Sequence, residues 1–525
     1  MKPSLTPFAF LLPVFAPSAH TQSPIVELDT GPSQATTHQA TGSASNVSIF
    51  LGLPFAAPPV GPLRFSPPQP PPRSNSTKIH LASEPPPACI QNGGNSKLPE
   101  SEDCLYLNIY APSPFNTTSA KTVMVWLYGG GLQYGSSSQP LYNGTNLASN
   151  QDVIIVVPNY RLNIFGFPGP ISCIPPKDRN LGLLDQRLAL AWVQQNIFKF
   201  GGDARKVTVF GESAGARSAD FHLLTMRENP PFRAVIMQSG SAELTPLADM
   251  NKAAESAKKG TAFQQLARAF TCPADDGKVA LECLRAIPAT AIKQKMKELA
   301  LYSGSVEDGG LATVQDQATI RQTHQAANVP LLLGTNADEM RGSLRSYNTS
   351  SLSSYLNSTF PTHQSLIPKL LNAYTPSPST PYKTPFDAMA ALATDLSFTC
   401  ITSREAHIST TSSYPTYRYL FTASYPNTQK FPGSGANHAH EIQFIFGNLP
   451  KDSTNEESDL STLMQNTWAR FAKNPDAGPG WVRYGITAGG KDMGRFDSDG
   501  GLRIVSSGGV DRNCHLFEEM YAGRA

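Results

Sequence analysis

Charge is scarce in this chain. Asp, Glu, Lys and Arg make up 16% of its 525 residues, and acids and bases nearly cancel to a formal net charge of +2. No Lys/Arg block is present, so a nucleic-acid or other polyanion partner is not expected. No apolar run is long enough to span a bilayer, which argues against integral membrane association. No C-x-x-C pair occurs, so zinc-ribbon and dithiol redox chemistry are not indicated, and neither metal nor cofactor is expected. Internal repeats are also missing. With 40% hydrophobic residues, the chain has ample material for a large core and does not have the composition of a disordered protein.

The most informative segment is residues 206–215, KVTVFGESAG. Val207, Val209 and Phe210 give the β-branched and aromatic run of a buried strand. Gly211-Glu212-Ser213-Ala214-Gly215 then follows the G-x-S-x-G pattern of a nucleophile elbow, a turn so tight that β-carbons at its flanks would clash. Alone, this pattern also fits a flexible surface loop. Further strands are predicted at 122–127, 153–158, 234–238, 330–334 and 417–422, apolar throughout as strands covered on both faces are. Residues 183–200 carry Leu184, Leu188 and Trp192 every four positions and predict an amphipathic helix. Strands alternating with helices argue for an α/β fold with a large, mostly parallel central sheet flanked by helices.

The groups that would complete a serine site lie far apart. Trp126-Leu127-Tyr128-Gly129-Gly130-Gly131 ends a predicted strand in bare backbone that can present amides to an oxyanion, with the Ala214 amide as a further donor. This triple glycine lacks the spacing of a dinucleotide fingerprint. Among ten histidines, His438 and His440 stand out, because they follow a Gly/Ser-rich loop and precede the largely apolar run 442–446. Asp338 and Glu339, just past a predicted strand, are the carboxylate candidates, and either could instead be a solvated loop charge. Serine, acid, histidine is the chain order of the α/β-hydrolase fold. Length alone suggests several domains, but motifs spread from Gly130 to His438 must meet in one, so residues 20–525 are read as a single domain.

Export is expected as well. Lys2, the apolar stretch 8–15 and small Ala16 and Ala19 make residues 1–19 a candidate signal peptide. Six N-x-S/T sequons, at Asn46, Asn75, Asn116, Asn143, Asn348 and Asn357, fit a secreted, extracellular glycoprotein. The C-terminal residues 514–525 show neither an apolar tail nor a retention signal, so no lipid anchor is expected. Seven cysteines suggest disulfides in that compartment, with Cys173 left over.

Taken together, the segments EDCLYLNIYAP (102–112), YGGG (128–131), NYRLNIFGF (159–167), NLGLLDQ (180–186), FGGD (200–203), FGESAGA (210–216) and HAHEIQFIFG (438–447) resemble the type-B carboxylesterase/lipase family, which includes cholinesterases and fungal lipases. The resemblance runs from about Phe55 to Cys514 and implies an α/β-hydrolase fold and hydrolysis of a small-molecule ester. Residue by residue, it implies Ser213 as nucleophile, Glu339 rather than Asp338 as acid, His438 rather than His440 as base, and oxyanion amides from Gly130, Gly131 and Ala214. It also implies disulfides Cys89–Cys104, Cys272–Cys283 and Cys400–Cys514. Two departures stand out. The acid loop reads Asp338-Glu339-Met340, where the family usually continues with glycine. Residues 90–103 contain no aromatic ring in place of the cholinesterases' choline-binding tryptophan, and this polar loop is too short for a lipase lid. The missing ring predicts that choline esters are not preferred substrates, and the short polar loop points to soluble or short-to-medium acyl esters. Acyl transfer to another alcohol is the alternative with the same chemistry; a non-catalytic binding protein is the alternative from another class.

Overall fold

The computed structural model describes residues 23–39, 45–94, 97–243, 260–314, 316–345, 351–485 and 492–522. The expected signal segment 1–19 and the Asn348 sequon lie outside the described residues.

Eleven strands form one sheet: β1 (Thr36–Gln39), β2 (Asn46–Pro54), β3 (Tyr106–Ser113), β4 (Lys121–Leu127), β5 (Ile154–Pro158), β6 (Gly202–Glu212), β7 (Ala234–Gln238), β8 (Leu331–Asn336), β9 (Thr416–Phe421), β10 (Met493–Phe496) and β11 (Leu502–Val505). Their spatial order is β11-β10-β9-β8-β7-β6-β4-β5-β3-β2-β1. From β10 through β5 all neighbours run parallel. The two ends, β11 on one side and β3-β2-β1 on the other, pair antiparallel. This is the α/β arrangement expected, and each of the six predicted strands lies in its parallel part.

The apolar runs are explained by burial on both faces. Every residue of β5, β7, β8 and β9 is buried. Each Val, Leu or Ile hidden this way contributes about 1.5–3 kcal/mol of transfer free energy. The predicted helix 183–200 is α1 (Leu181–Asn196) followed by a 3₁₀ turn, Ile197–Phe200, which Gly201 ends in the left-handed region at φ 83°. Its expected stripe needs correction. Leu184 and Leu188 are only half-buried, whereas Leu183, Asp185, Gln186, Leu190 and Val193 are deeply covered. Leu184 packs on a second apolar cluster around Phe165 and Leu281, so α1 is wedged between two cores rather than lying on one.

All three disulfides implied by the resemblance are present: Cys89–Cys104, Cys272–Cys283 and Cys400–Cys514. Cys173 is free and exposed. Among the described residues, no helix is long and apolar enough to cross a membrane.

Candidate active site

The carboxyl ends of β4, β6, β7 and β8 lie side by side, with Gly211 opposite Leu127 and Met237, and Gly334 opposite Gln238. Open α/β sheets place their sites at this edge. Strand β6 ends at Glu212, and α2 (Ala214–Thr225) begins one residue after Ser213. Ser213 is held at φ 55°, ψ −120°, a conformation costing roughly 1–3 kcal/mol for a residue with a side chain. The surroundings leave it no choice. A β-carbon on Gly215 would stand 1.9 Å from the Leu127 carbonyl oxygen, and one on Gly240 would stand 2.3 Å from the Ser213 carbonyl oxygen. The Ser213 amide donates to the Gln238 carbonyl at 2.8 Å, closing the turn.

The triple glycine packs against this turn. A β-carbon on Gly129 would meet Glu212 Oε2 at 2.4 Å and Ser213 Cβ at 3.0 Å. Gly130 (φ 108°) would strike the Tyr134 carbonyl at 2.1 Å, whereas Gly131 (φ 62°) is exposed with nothing within 4 Å. Among the described residues, the amides of Gly130, Gly131 and Ala214 donate to no protein acceptor.

His438 and Glu339 come from two loops that hold each other. The ring Nδ1 lies 2.6 Å from Glu339 Oε2, and the Asn336 amide donates to Glu339 Oε1 at 2.7 Å. Glu339 is 1% exposed. The neighbouring Asp338 does different work: its carboxylate accepts the Ala436 amide at 3.0 Å and pins the histidine loop. His440 is likewise structural, since its two ring nitrogens meet the Gly435 carbonyl at 3.0 Å and the Thr428 hydroxyl at 2.9 Å. Burial lowers its pKa to about 4, so it stays neutral.

The other face of the His438 ring departs from expectation. Nε2 lies 3.0 Å from Glu212 Oε1, out of line for a hydrogen bond, and among the hydrogen bonds of the described residues none joins the ring to the Ser213 hydroxyl. Sequence inspection treated Glu212 as the variable position of G-x-S-x-G. In the fold it is a buried carboxyl beside Ser213. Burial pushes its pKa up to about 8, against the opposing pull of His438, while Glu441 and Glu339 raise it further. For His438, burial favours the neutral ring, but the Glu212 and Glu339 carboxylates outweigh it and raise the pKa to about 9. Glu212 and His438 face one another, so the charge on each shifts the titration of the other.

Beneath the site lies a buried polar network. Gln238 donates to Glu441 Oε1 at 2.9 Å and accepts from Trp468 Nε1 at 3.0 Å. Asn336 Nδ2 donates to both the Asn437 carbonyl and Glu441 Oε2. Asn336, Gln238 and Glu212 escaped sequence reasoning because nothing in their local pattern sets them apart.

The family model described as the carboxylesterase family matches residues 22–488. The chain belongs to that family. Relatives include carboxylesterase 5A of Felis catus, 35% identical with 84% of this chain and 85% of the relative covered. Secreted lipase 5 of Gibberella zeae is 30% identical over 83% and 84%, and acetylcholinesterase 1 of Caenorhabditis elegans 31% identical over 88% and 81%. The protein is thus an α/β-hydrolase and a carboxylic ester hydrolase. In this carboxylesterase, the loop closed by Cys89–Cys104 lies on the glycine loop through Gln91, whose side-chain amide exchanges hydrogen bonds with the Gly135 backbone. The loop itself lacks an aromatic side chain, but Tyr134, 43% exposed, rests its ring against Gly93 and Gly94. An aromatic face therefore stands there after all, supplied by a different segment.

Proposed function

We propose that this carboxylesterase is a secreted serine esterase working through Ser213, His438 and Glu339 within one domain spanning residues 20–525. The observation carrying this reading is the 2.6 Å contact from His438 Nδ1 to Glu339, with the opposite ring nitrogen turned toward the Glu212–Ser213 turn. His438 Nε2 takes the Ser213 proton as Oγ attacks the ester carbonyl carbon, and the carbonyl π electrons move onto oxygen. The Gly130, Gly131 and Ala214 amides bind that oxyanion. Collapse of the intermediate breaks the bond to the alcohol, which leaves with the proton from His438. Water then repeats the two steps on the acyl-enzyme and releases the acid. Glu339 fixes the ring tautomer and stabilises the imidazolium. The Glu212 carboxylate, when ionised, raises the proton affinity of the ring.

Three disulfides, five exposed sequon asparagines (Asn46, Asn75, Asn116, Asn143 and Asn357) and the name of the Gibberella relative favour secretion as a glycoprotein. The short polar loop 90–103 favours soluble, short-to-medium acyl esters. Choline esters are disfavoured, because the tyrosine beside that loop is a weaker cation platform than tryptophan. The test is covalent labelling by an organophosphate together with the Ser213→Ala variant. That variant stays folded and loses roughly three or more orders of magnitude in turnover. Near-normal turnover would exclude this serine.

A further inference from the structure

The ring of Phe398 lies against His438, with centroids 4.9 Å apart and planes tilted by 46°. Phe398 belongs to a π-helical turn, Asp395–Thr399, inserted just before helix α3 (Cys400–Thr411). Such a turn is an uncommon distortion that concentrates at functional sites. Its extra residue must be held by contacts from outside the helix, and these come from the far end of the chain. The Tyr521 hydroxyl donates to the Leu396 carbonyl at 2.8 Å, inside the turn. Cys514 is bonded to Cys400, the residue that follows the turn. Asp511 accepts from Ser403 at 2.7 Å and from Arg418, which also reaches the Thr399 carbonyl at 3.5 Å. Phe517 is wholly buried in the same apolar cluster as Leu396 and Phe398.

We infer that residues 511–521 form a C-terminal strap that holds Phe398 against the His438 imidazole, making Phe398 a positioning residue for the base. This rests on the reading of His438 as the base. The ring has one strong anchor, the Nδ1 contact to Glu339, and a single hydrogen bond leaves rotation about its own axis open. An aromatic wall on one face closes that freedom without using a ring nitrogen. Because the wall stands on the π turn and the turn is tied to the strap, a change at residue 521 is transmitted to the site through packed atoms.

The experiment compares Phe398→Leu, Tyr521→Phe and the double variant in the full chain, using acetate to hexanoate esters of one chromogenic alcohol. Phe398→Leu lowers kcat roughly tenfold, the scale expected when a reacting group loses its orientation, with the same factor for every acyl length. Tyr521→Phe gives a smaller loss in the same direction, about threefold, and adds nothing further once Phe398 is replaced. Phe398→Tyr, which keeps the ring, restores turnover. A loss that grows or shrinks with acyl length would make Phe398 a wall for substrate and overturn the proposal, as would independent, multiplying losses in the double variant. Should Phe398→Leu not fold, Tyr521→Phe decides alone. Its low-field Nδ1–H proton resonance broadens or shifts if the strap positions the ring, and an unchanged resonance with unchanged kcat overturns the inference. Inactivity of Ser213→Ala, measured alongside, tests the catalytic reading separately from the strap.

Discussion

Two halves of the site are built by different means. On the Ser213 side, β6, the turn and α2 are contiguous in the chain, and backbone sterics fix the geometry: Ser213 sits at φ 55° because Gly215 and Gly240 let neighbouring carbonyls close in. On the histidine side, side-chain hydrogen bonds between distant loops do the work. Asn336, Glu339, Asn437 and Glu441 meet across separations of about a hundred residues, and Phe398 is backed by a strap from the C-terminus. A sterically fixed turn has no intermediate state: it forms or it does not. A hydrogen-bonded assembly can lose one member and loosen by degrees. Damage to the first half should therefore be all-or-none, and damage to the second graded.

The sharpest way to break this contrast is Gly215→Ala. With its β-carbon 1.9 Å from the Leu127 oxygen, the variant should lose at least about 3 kcal/mol and yield little soluble protein, as measured by expression and melting. Gly131→Ala is the control, with open space and only a left-handed φ of 62°; it should fold with a loss of about 1 kcal/mol. On the other side, Glu339→Gln should keep the melting temperature within a few degrees yet cut kcat by roughly 10²–10⁴, because an amide no longer enforces the tautomer. If it fails to fold, the histidine half is as brittle as the elbow and the contrast is wrong. Asn336→Leu should cost about tenfold in kcat, since it removes two side-chain bonds but leaves its backbone amide on Glu339.

Two smaller effects are read in pH. In the proposed mechanism the neutral His438 ring is the base, and the Glu212 charge raises its pKa. Glu212→Gln removes that charge, so the acid limb of the kcat/KM profile should move to lower pH. A limb that stays put would place Glu212 outside the proton balance. His440 has a folded pKa near 4 against an ordinary 6.5. Its contribution to stability is full above 6.5 and is lost as pH falls toward 4, because only the unfolded chain takes up the proton. Melting temperature followed across that window should decline, and part of the slope should vanish in His440→Gln.

Much of the parallel sheet was legible in the chain, because strands buried on both faces are written as unbroken apolar runs. Strands β2 and β3 were not read as such. Gly52 interrupts the first and Pro54 ends it, and one of its two partners, β3, lies more than fifty residues away. The elbow was legible from two glycines flanking a serine. Residues alone left Asp338 open against Glu339 and His438 against His440. Family likeness favoured Glu339 and His438, and the fold gives the discarded members jobs of their own, as an anchor for Ala436 and a bridge from Gly435 to Thr428.

What the amino-acid order determined by itself was local: where strands are covered on both faces, where the chain must turn without a β-carbon, and which residue types could share a proton. Only the tertiary structure decided that the Glu212 carboxyl faces His438, that Asn336 joins the acid to the histidine loop, and that Tyr521 stands behind Phe398. The physical reason is range. Steric exclusion acts over a few bonds and leaves its mark in adjacent letters, whereas a hydrogen bond or ring contact between remote residues exists only once the core has brought them within a few ångströms.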